Sequence, residues 1–232
     1  MQDFALDKLE AFFDVNFQAT MSTPDTDPQA VAPHLDSIMA LLPPNARSLV
    51  EAGNGSGLLA RRYKQSYPAC FYQSVERQRE TALAAQQYAN HVHLANLDAA
   101  PDAFFRQLAQ VDGWIFNTTL ETLADPGRLL ARVRASLPID ACVLACIANT
   151  RHWAATALPE PGRQPAMEMA AALSLFSASG LRVTTGLALA GAPMPAQREA
   201  QLRVAAADAG HDPEQACQLA WPSHFLIKAM PA

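Results

Sequence analysis

Residues 49–60 read Leu-Val-Glu-Ala-Gly-Asn-Gly-Ser-Gly-Leu-Leu-Ala: a short apolar run, an acid, glycines at three alternate positions, then a helix-forming segment. Glycine tolerates positive φ and leaves room where a Cβ would clash, so this run forms a tight strand-to-helix turn whose backbone can lie against a ligand. In open α/β sheets, ligands gather beyond the carboxyl ends of the strands. Glu51, at the end of the strand, is placed to accept hydrogen bonds from polar groups of a cofactor.

The glycine spacing separates cofactor classes. Dinucleotide-binding turns carry G-x-G-x-x-G, and phosphate-binding loops end in Lys-Ser or Lys-Thr. Here the pattern is E-x-G-x-G-x-G and no such lysine follows. It resembles motif I of the class I S-adenosylmethionine-dependent methyltransferases. The resemblance implies that Gly53, Asn54, Gly55 and Gly57 pass under the methionine portion of the cofactor, with Glu51 near its amino group. An ordinary tight turn between strand and helix is the alternative.

Further segments extend the resemblance. Cys70–Val75 is a plausible second strand ending in Glu76, about 20 residues after the glycines, where an acid can take both ribose hydroxyls. A third run, Val92–Ala95, leads into Asn96-Leu97-Asp98 at the family's adenine-contacting segment. Asn96 stands where the family more often has Asp, so the adenine contact falls either to its amide or to Asp98. The resemblance also sets Arg77, Leu97 and Asn117 beside the cofactor. Asp112–Pro126 follows the family's fourth element and keeps its Asp-Pro helix start, Asp125 being a good cap and Pro126 costing no hydrogen bond early in a helix. Thr122 replaces the frequent histidine of that element.

Leu129, Leu130, Val133 and Leu137 recur at helical spacing. Ala141–Ala148 is apolar throughout, which suits a central strand covered on both faces. Beyond it, Asn149-Thr150-Arg151-His152-Trp153 resembles an N-x-R-H-W segment of a methyltransferase subgroup associated with bacterial glycan and glycosyltransferase systems. This places Asn149, Arg151 and His152 on the functional rim, with Arg151 and His152 as catalytic candidates. Imidazole titrates near neutrality, so His152 is the candidate general base. The competing reading has His152 and Trp153 anchoring a loop while Arg151 pairs with a carboxylate. His34, His91, His93, His211 and His224 lack metal-ligand spacing and read as surface or capping residues. No metal is expected.

The specific motifs span residues 45–155; the remainder follows the family only in pattern. Residues 167–179 read as an amphipathic helix, 180–185 and 224–229 as strands, and 197–209 and 213–220 as helices. Residues 3–15, with Phe4, Leu6, Leu9, Phe12 and Phe13, predict an amphipathic helix, and a second runs over 27–42 up to Pro43-Pro44. This N-terminal part, 1–44, reads either as a lid over the cofactor or as a helix pair on the flank or at a homodimer interface.

The expected architecture is a doubly wound α/β domain over 45–232, with a seven-stranded, mostly parallel sheet and helices on both faces. The 232 residues, half of them apolar, can bury a full core. With 17 basic against 22 acidic residues and no basic cluster, the chain lacks a nucleic-acid footprint. No apolar run is long enough to span a bilayer and the N-terminus is acidic, so a cytoplasmic location is expected. Cys70, Cys142, Cys146 and Cys217 form no C-x-x-C pair and read as buried thiols. Together these imply S-adenosylmethionine as cofactor and methyl transfer to a small molecule or glycan. The alternatives are a cofactor-binding or protein-interaction module of the same fold without turnover and, against the glycine spacing, a nicotinamide-dependent oxidoreductase.

Overall fold

The structure, a computed structural model, describes residues 34–53, 57–154 and 168–232. The predicted helix over 3–15 lies outside them, as do Asn54, Gly55 and the part of the second N-terminal helix before His34.

In chain order the elements are α1 (Leu35–Leu41), β1 (Ser48–Ala52), α2 (Leu58–Ser66), β2 (Phe71–Glu76), α3 (Arg79–Ala85), β3 (His91–Leu94), α4 (Asp102–Gln107), β4 (Gly113–Asn117), a 3-10 turn (Leu120–Thr122) and α5 (Pro126–Ser136). There follow β5 (Cys142–Ala148), α6 (Met169–Ala178), β6 (Leu181–Ala190), α7 (Ala196–Asp208), α8 (Pro213–Ala220) and β7 (Pro222–Pro231). The seven strands form one sheet in the order β3-β2-β1-β4-β5-β7-β6. Strands β1 to β5 pair in parallel, and β7 runs antiparallel to both β5 and β6. This is the expected doubly wound, mostly parallel sheet.

Alternation along each strand sorts the core into two layers. Val50, Trp114, Phe116, Val143 and Ile147 face one side with Leu130 and Phe176 of α5 and α6. Leu49, Ile115, Leu144 and Leu226 face the other with Ile38, Leu59 and Tyr63 of α1 and α2. Because both faces of β1, β4 and β5 are covered, their sequences read as nearly continuous apolar runs. The Asp125 carboxylate accepts from Arg128 N at 2.9 Å at the start of α5, and Asp212 caps α8 through Glu214 N with Pro213 at the first position.

Two strands run further than their sequence suggests. β6 continues to Ala190, and β7 spans Pro222–Pro231, because each borrows backbone partners from the other rather than relying on apolar alternation. Between them α7 and α8 form a helical insertion; α7 buries only Ala206, so its polar sequence lacks a clear stripe.

The α1 side is fastened by polar contacts to the sheet and to α2. Lys228 Nζ donates to Leu41 O at 2.7 Å, and the Tyr63 hydroxyl donates to Pro43 O at 2.5 Å while accepting from Ala46 N at 3.0 Å. Removing that fully buried hydroxyl orphans both backbone groups, at a cost of about 1–3 kcal/mol. Tyr63→Phe should therefore lower the stability measured by urea denaturation by that amount, with an unchanged m-value.

Candidate functional site

Strand order reverses direction between β1 and β4, and a cleft opens beyond the carboxyl ends of β1, β2 and β4, as this topology dictates. It encloses about 220 Å³, and its lining includes Gly53, Glu76, Arg77, Asn96, Leu97 and Thr119. Gly53 has φ +25° and its N–H donates to Val75 O at 2.8 Å, which holds the end of β1 against β2. A Cβ built there would lie 3.7 Å from Glu76 Oε2, so the bare backbone and the carboxylate face one another. Glu76 is 3% exposed, and its Oε1 accepts from the Ser74 hydroxyl at 2.8 Å, which sets the carboxylate plane.

Glu51 lies deeper. It is 2% exposed, with Oε2 accepting from the Tyr72 hydroxyl at 3.0 Å and Oε1 without a hydrogen-bond partner among the described residues. Burial pushes its carboxyl up to about 7; the Tyr72 bond opposes the shift and the Glu76 carboxylate adds to it.

The structure brings Gly53, Glu76, Arg77, Asn96 and Leu97 together around the cleft, with Glu51 and Asn117 buried at the adjoining ends of β1 and β4. Two of the expected residues face the protein itself. Asp98 does not join the lining: its Oδ1 accepts from Ala124 N at 2.9 Å and braces the segment after the 3-10 turn. Gly57, at φ +64°, faces α3 rather than open space, since a Cβ there would meet Tyr88 Cδ2 at 3.0 Å and Ala85 Cα at 3.2 Å. Sequence reading passed over Gln78, Thr81 and Thr119, which also line the cleft. Thr119 puts its hydroxyl 2.6 Å from Ala52 O and 2.9 Å from Gly53 O, tying the β4 loop to the glycine turn. A threonine two residues past a strand gives no sequence signal of that long-range contact.

No family model and no curated protein matches the chain. Solved structures do match in fold. An S-adenosylmethionine-dependent methyltransferase from Mesorhizobium loti superposes with TM-score 0.60 at 18% identity, over 86% of this chain and 98% of that one. The fold is that of the class I methyltransferases. The [4+2]-cyclase SpnF shares it at TM-score 0.58 and 12% identity, over 99% of this chain and 94% of that one. The O-methyltransferase NcsB1 of neocarzinostatin biosynthesis, in complex with S-adenosylhomocysteine and 1,4-dihydroxy-2-naphthoic acid, matches at TM-score 0.54 and 14% identity, over 85% of this chain and 53% of that one.

On this methyltransferase fold, the rim past β5 is built of residues turned toward the protein itself. Asn149, expected on the functional rim, is buried: Nδ2 donates to Leu219 O and Pro222 O at 2.9 and 2.7 Å, and Oδ1 accepts from Arg151 N at 3.0 Å. Arg151 pairs with Glu168 Oε1 at 3.0 Å. Trp153 Nε1 donates to Ala192 O at 3.1 Å. His152 Nδ1 accepts from Ala154 N at 3.1 Å, which leaves the ring proton of the neutral form on Nε2. That nitrogen packs on Gly191, where a Cβ would sit only 2.4 Å away.

His34 and His224 are half-buried. His34 occupies the cap position of α1 with φ 92° but makes no side-chain cap bond; its Nε2 lies 3.2 Å from His224 Nδ1, which is 3.1 Å from Ser223 Oγ. Among the described residues no set of three His, Cys, Asp or Glu side chains could hold a metal ion. Burial and the neighbouring His224 lower His34 to about 4, burial and His152 lower His224, and burial lowers His152. The unfolded chain therefore binds more protons than the native state between pH 6.5 and 4, so this stability is intact above pH 6.5 and is lost on acidification. Unfolding free energy should fall through that window, and His34→Gln should flatten the slope by up to about 1 kcal/mol per pH unit, as measured by chemical denaturation.

Proposed function

We propose that the chain binds S-adenosylmethionine in the cleft beyond β1, β2 and β4 and transfers its methyl group to a small-molecule or glycan acceptor. The observation that carries this reading is the buried Glu76 carboxylate, held by Ser74 and facing the Cβ-free backbone of Gly53. A carboxylate so held can accept from both hydroxyls of a ribose. The unpartnered Oε1 of Glu51 suits the amino group of the same ligand. When bound, the cofactor supplies an activated methyl group on a sulfonium sulfur.

In this reading Gly53, Asn54 and Gly55 run under the methionine portion, and Gly57 closes the turn on α3. Arg77, Asn96 and Leu97 flank the adenine, and Asn117 stands at the end of β4 beside the methyl-bearing region. Asp98 is assigned to the protein's own bracing. Arg151 and His152 are assigned to loop anchoring, because Glu168, Ala154 and Gly191 already occupy them. Of residues 1–44, α1 packs on the sheet face beside α2, which favours the flank over the lid for that part. NcsB1, solved with an aromatic diol, supports a small-molecule acceptor; a glycan rests on the Asn149–Trp153 segment alone.

A second reading keeps the cofactor without methyl transfer. The cyclase SpnF shares the fold, and no general base is presented by the Asn149–Trp153 loop. A methyl-transfer assay over candidate acceptors separates the two, since only the first reading produces S-adenosylhomocysteine in step with a methylated acceptor.

The common core of both is tested by calorimetry. S-adenosylhomocysteine should bind and NAD should not. Glu76→Ala should weaken S-adenosylhomocysteine at least about fivefold, the lower end of the cost of leaving buried polar groups unpaired. Unchanged affinity in a folded Glu76→Ala protein would refute the assignment.

A further inference from the structure

We propose that His34, His224 and Ser223 form a binding site for a zinc-type divalent ion, which would join the start of α1 to β7 at the carboxyl edge of the sheet. None of the three lines the cofactor cleft, and the inference does not depend on the cofactor reading.

His224 stands opposite Ala148, at the carboxyl end of β5, and His34 reaches it from the first turn of α1. His34 Nε2 lies 3.2 Å from His224 Nδ1 and 3.4 Å from Ser223 Oγ, and the last two atoms are 3.1 Å apart. A tetrahedral zinc ion with ligand bonds of about 2.0–2.1 Å sets its ligands about 3.3–3.4 Å apart, so the three atoms already outline one face of such a site. The ring positions separate this from a plain hydrogen bond. Two imidazoles joined by a straight N–H···N bond of this length would hold their ring centres about 5.5 Å apart, and two converging on one ion about 5 Å. The centres are 4.9 Å apart, with the planes at 58°. The rings are therefore bent away from the line joining their nitrogens, as convergence on a common ion requires.

The donors are arranged to serve that point. Ser223 Oγ donates to Leu189 O at 3.3 Å, which leaves its lone pairs for an ion. His34 takes φ 92°, a conformation costly for a residue with a Cβ, and its ring makes no cap bond to α1 but reaches β7 instead. His152 is not a ligand, since its Nδ1 accepts from Ala154 N and its Nε2 packs on Gly191. Three protein donors leave a fourth position for water. Imidazole suits zinc, copper and nickel, not magnesium or calcium. With a hydroxyl in place of a third imidazole, thiolate or carboxylate, the ion should be held less tightly than at a structural zinc centre. Its consequence is local: Lys228 fastens the Leu41 end of α1 to the sheet, and the ion would fasten the His34 end.

The test titrates the full chain, stripped by a chelator and dialysed free of it, with Zn²⁺ and separately with Mg²⁺. Calorimetry should show one Zn²⁺ per chain and no Mg²⁺, and the melting temperature should climb with Zn²⁺ concentration. His34→Gln and His224→Gln should each weaken Zn²⁺ at least about tenfold, since losing even an outer partner of a metal site costs that much. His91→Gln and His93→Gln, whose rings pair on β3, should leave it unchanged. If the first two variants do not fold, Co²⁺ on the unsubstituted chain decides, because tetrahedral Co²⁺ absorbs visible light strongly and octahedral Co²⁺ weakly. Absence of stoichiometric Zn²⁺ binding, Zn²⁺ affinity kept in the His34 and His224 variants, affinity lost in the His91 or His93 variant, or an octahedral Co²⁺ spectrum would each overturn the proposal.

Discussion

The parallel pairing of β1 with β4, from Leu49 opposite Gly113 to Ala52 opposite Phe116, is the contact from which the site follows. It places two strands that are distant in sequence side by side at the point where the crossovers change direction, and there the sheet leaves a crevice at its carboxyl edge. The register is held at its other end. Asp112 Oδ2 accepts from Arg47 N and Ser48 N, and Gly113 lets β4 close on its neighbours, since a Cβ there would lie 3.1 Å from Leu49 Cδ2 and 3.2 Å from Cys142 Sγ. A slip of one residue would turn Glu51 and Asn117 to the opposite layer and bring Val50 and Phe116 out of theirs.

The crevice brings two acids together. Glu51 and Glu76 end adjacent strands, both nearly inaccessible to water, and each is steered by one hydroxyl, of Tyr72 and Ser74 respectively. Two carboxylates in such a place destabilise the protein unless one keeps its proton. The rim past β5 has the opposite character. Asn149, Arg151, His152 and Trp153 spend their polar atoms on the protein's own backbone and on Glu168, which fixes the shape of the rim.

Much of the frame was legible in the chain. Buried parallel strands must be apolar on both faces, so Leu49–Ala52 and Cys142–Ala148 announced themselves, and Asp125-Pro126 announced a helix start by a local hydrogen bond. Elements defined by distant partners were less visible. β6 and β7 sustain ten residues each through mutual pairing. His34 and His224, 190 residues apart, carry no local mark of their contact.

Sequence by itself placed the acids Glu51 and Glu76 near the ends of their strands, because strand-end position acts over a few residues and survives any tertiary context. It also determined the class of sheet, since alternation and helix caps are local. The tertiary structure alone decided what each of those residues faces. Gly57 looks onto Tyr88, Asp98 onto Ala124 N, and His152 onto Gly191, whereas Gly53 and Glu76 look onto one another across the cleft. The reason is physical: a side chain's type limits what it can bond, but its partner is set by the crossing of strands and loops far apart in the chain, and that crossing is fixed only when both layers of the core close together.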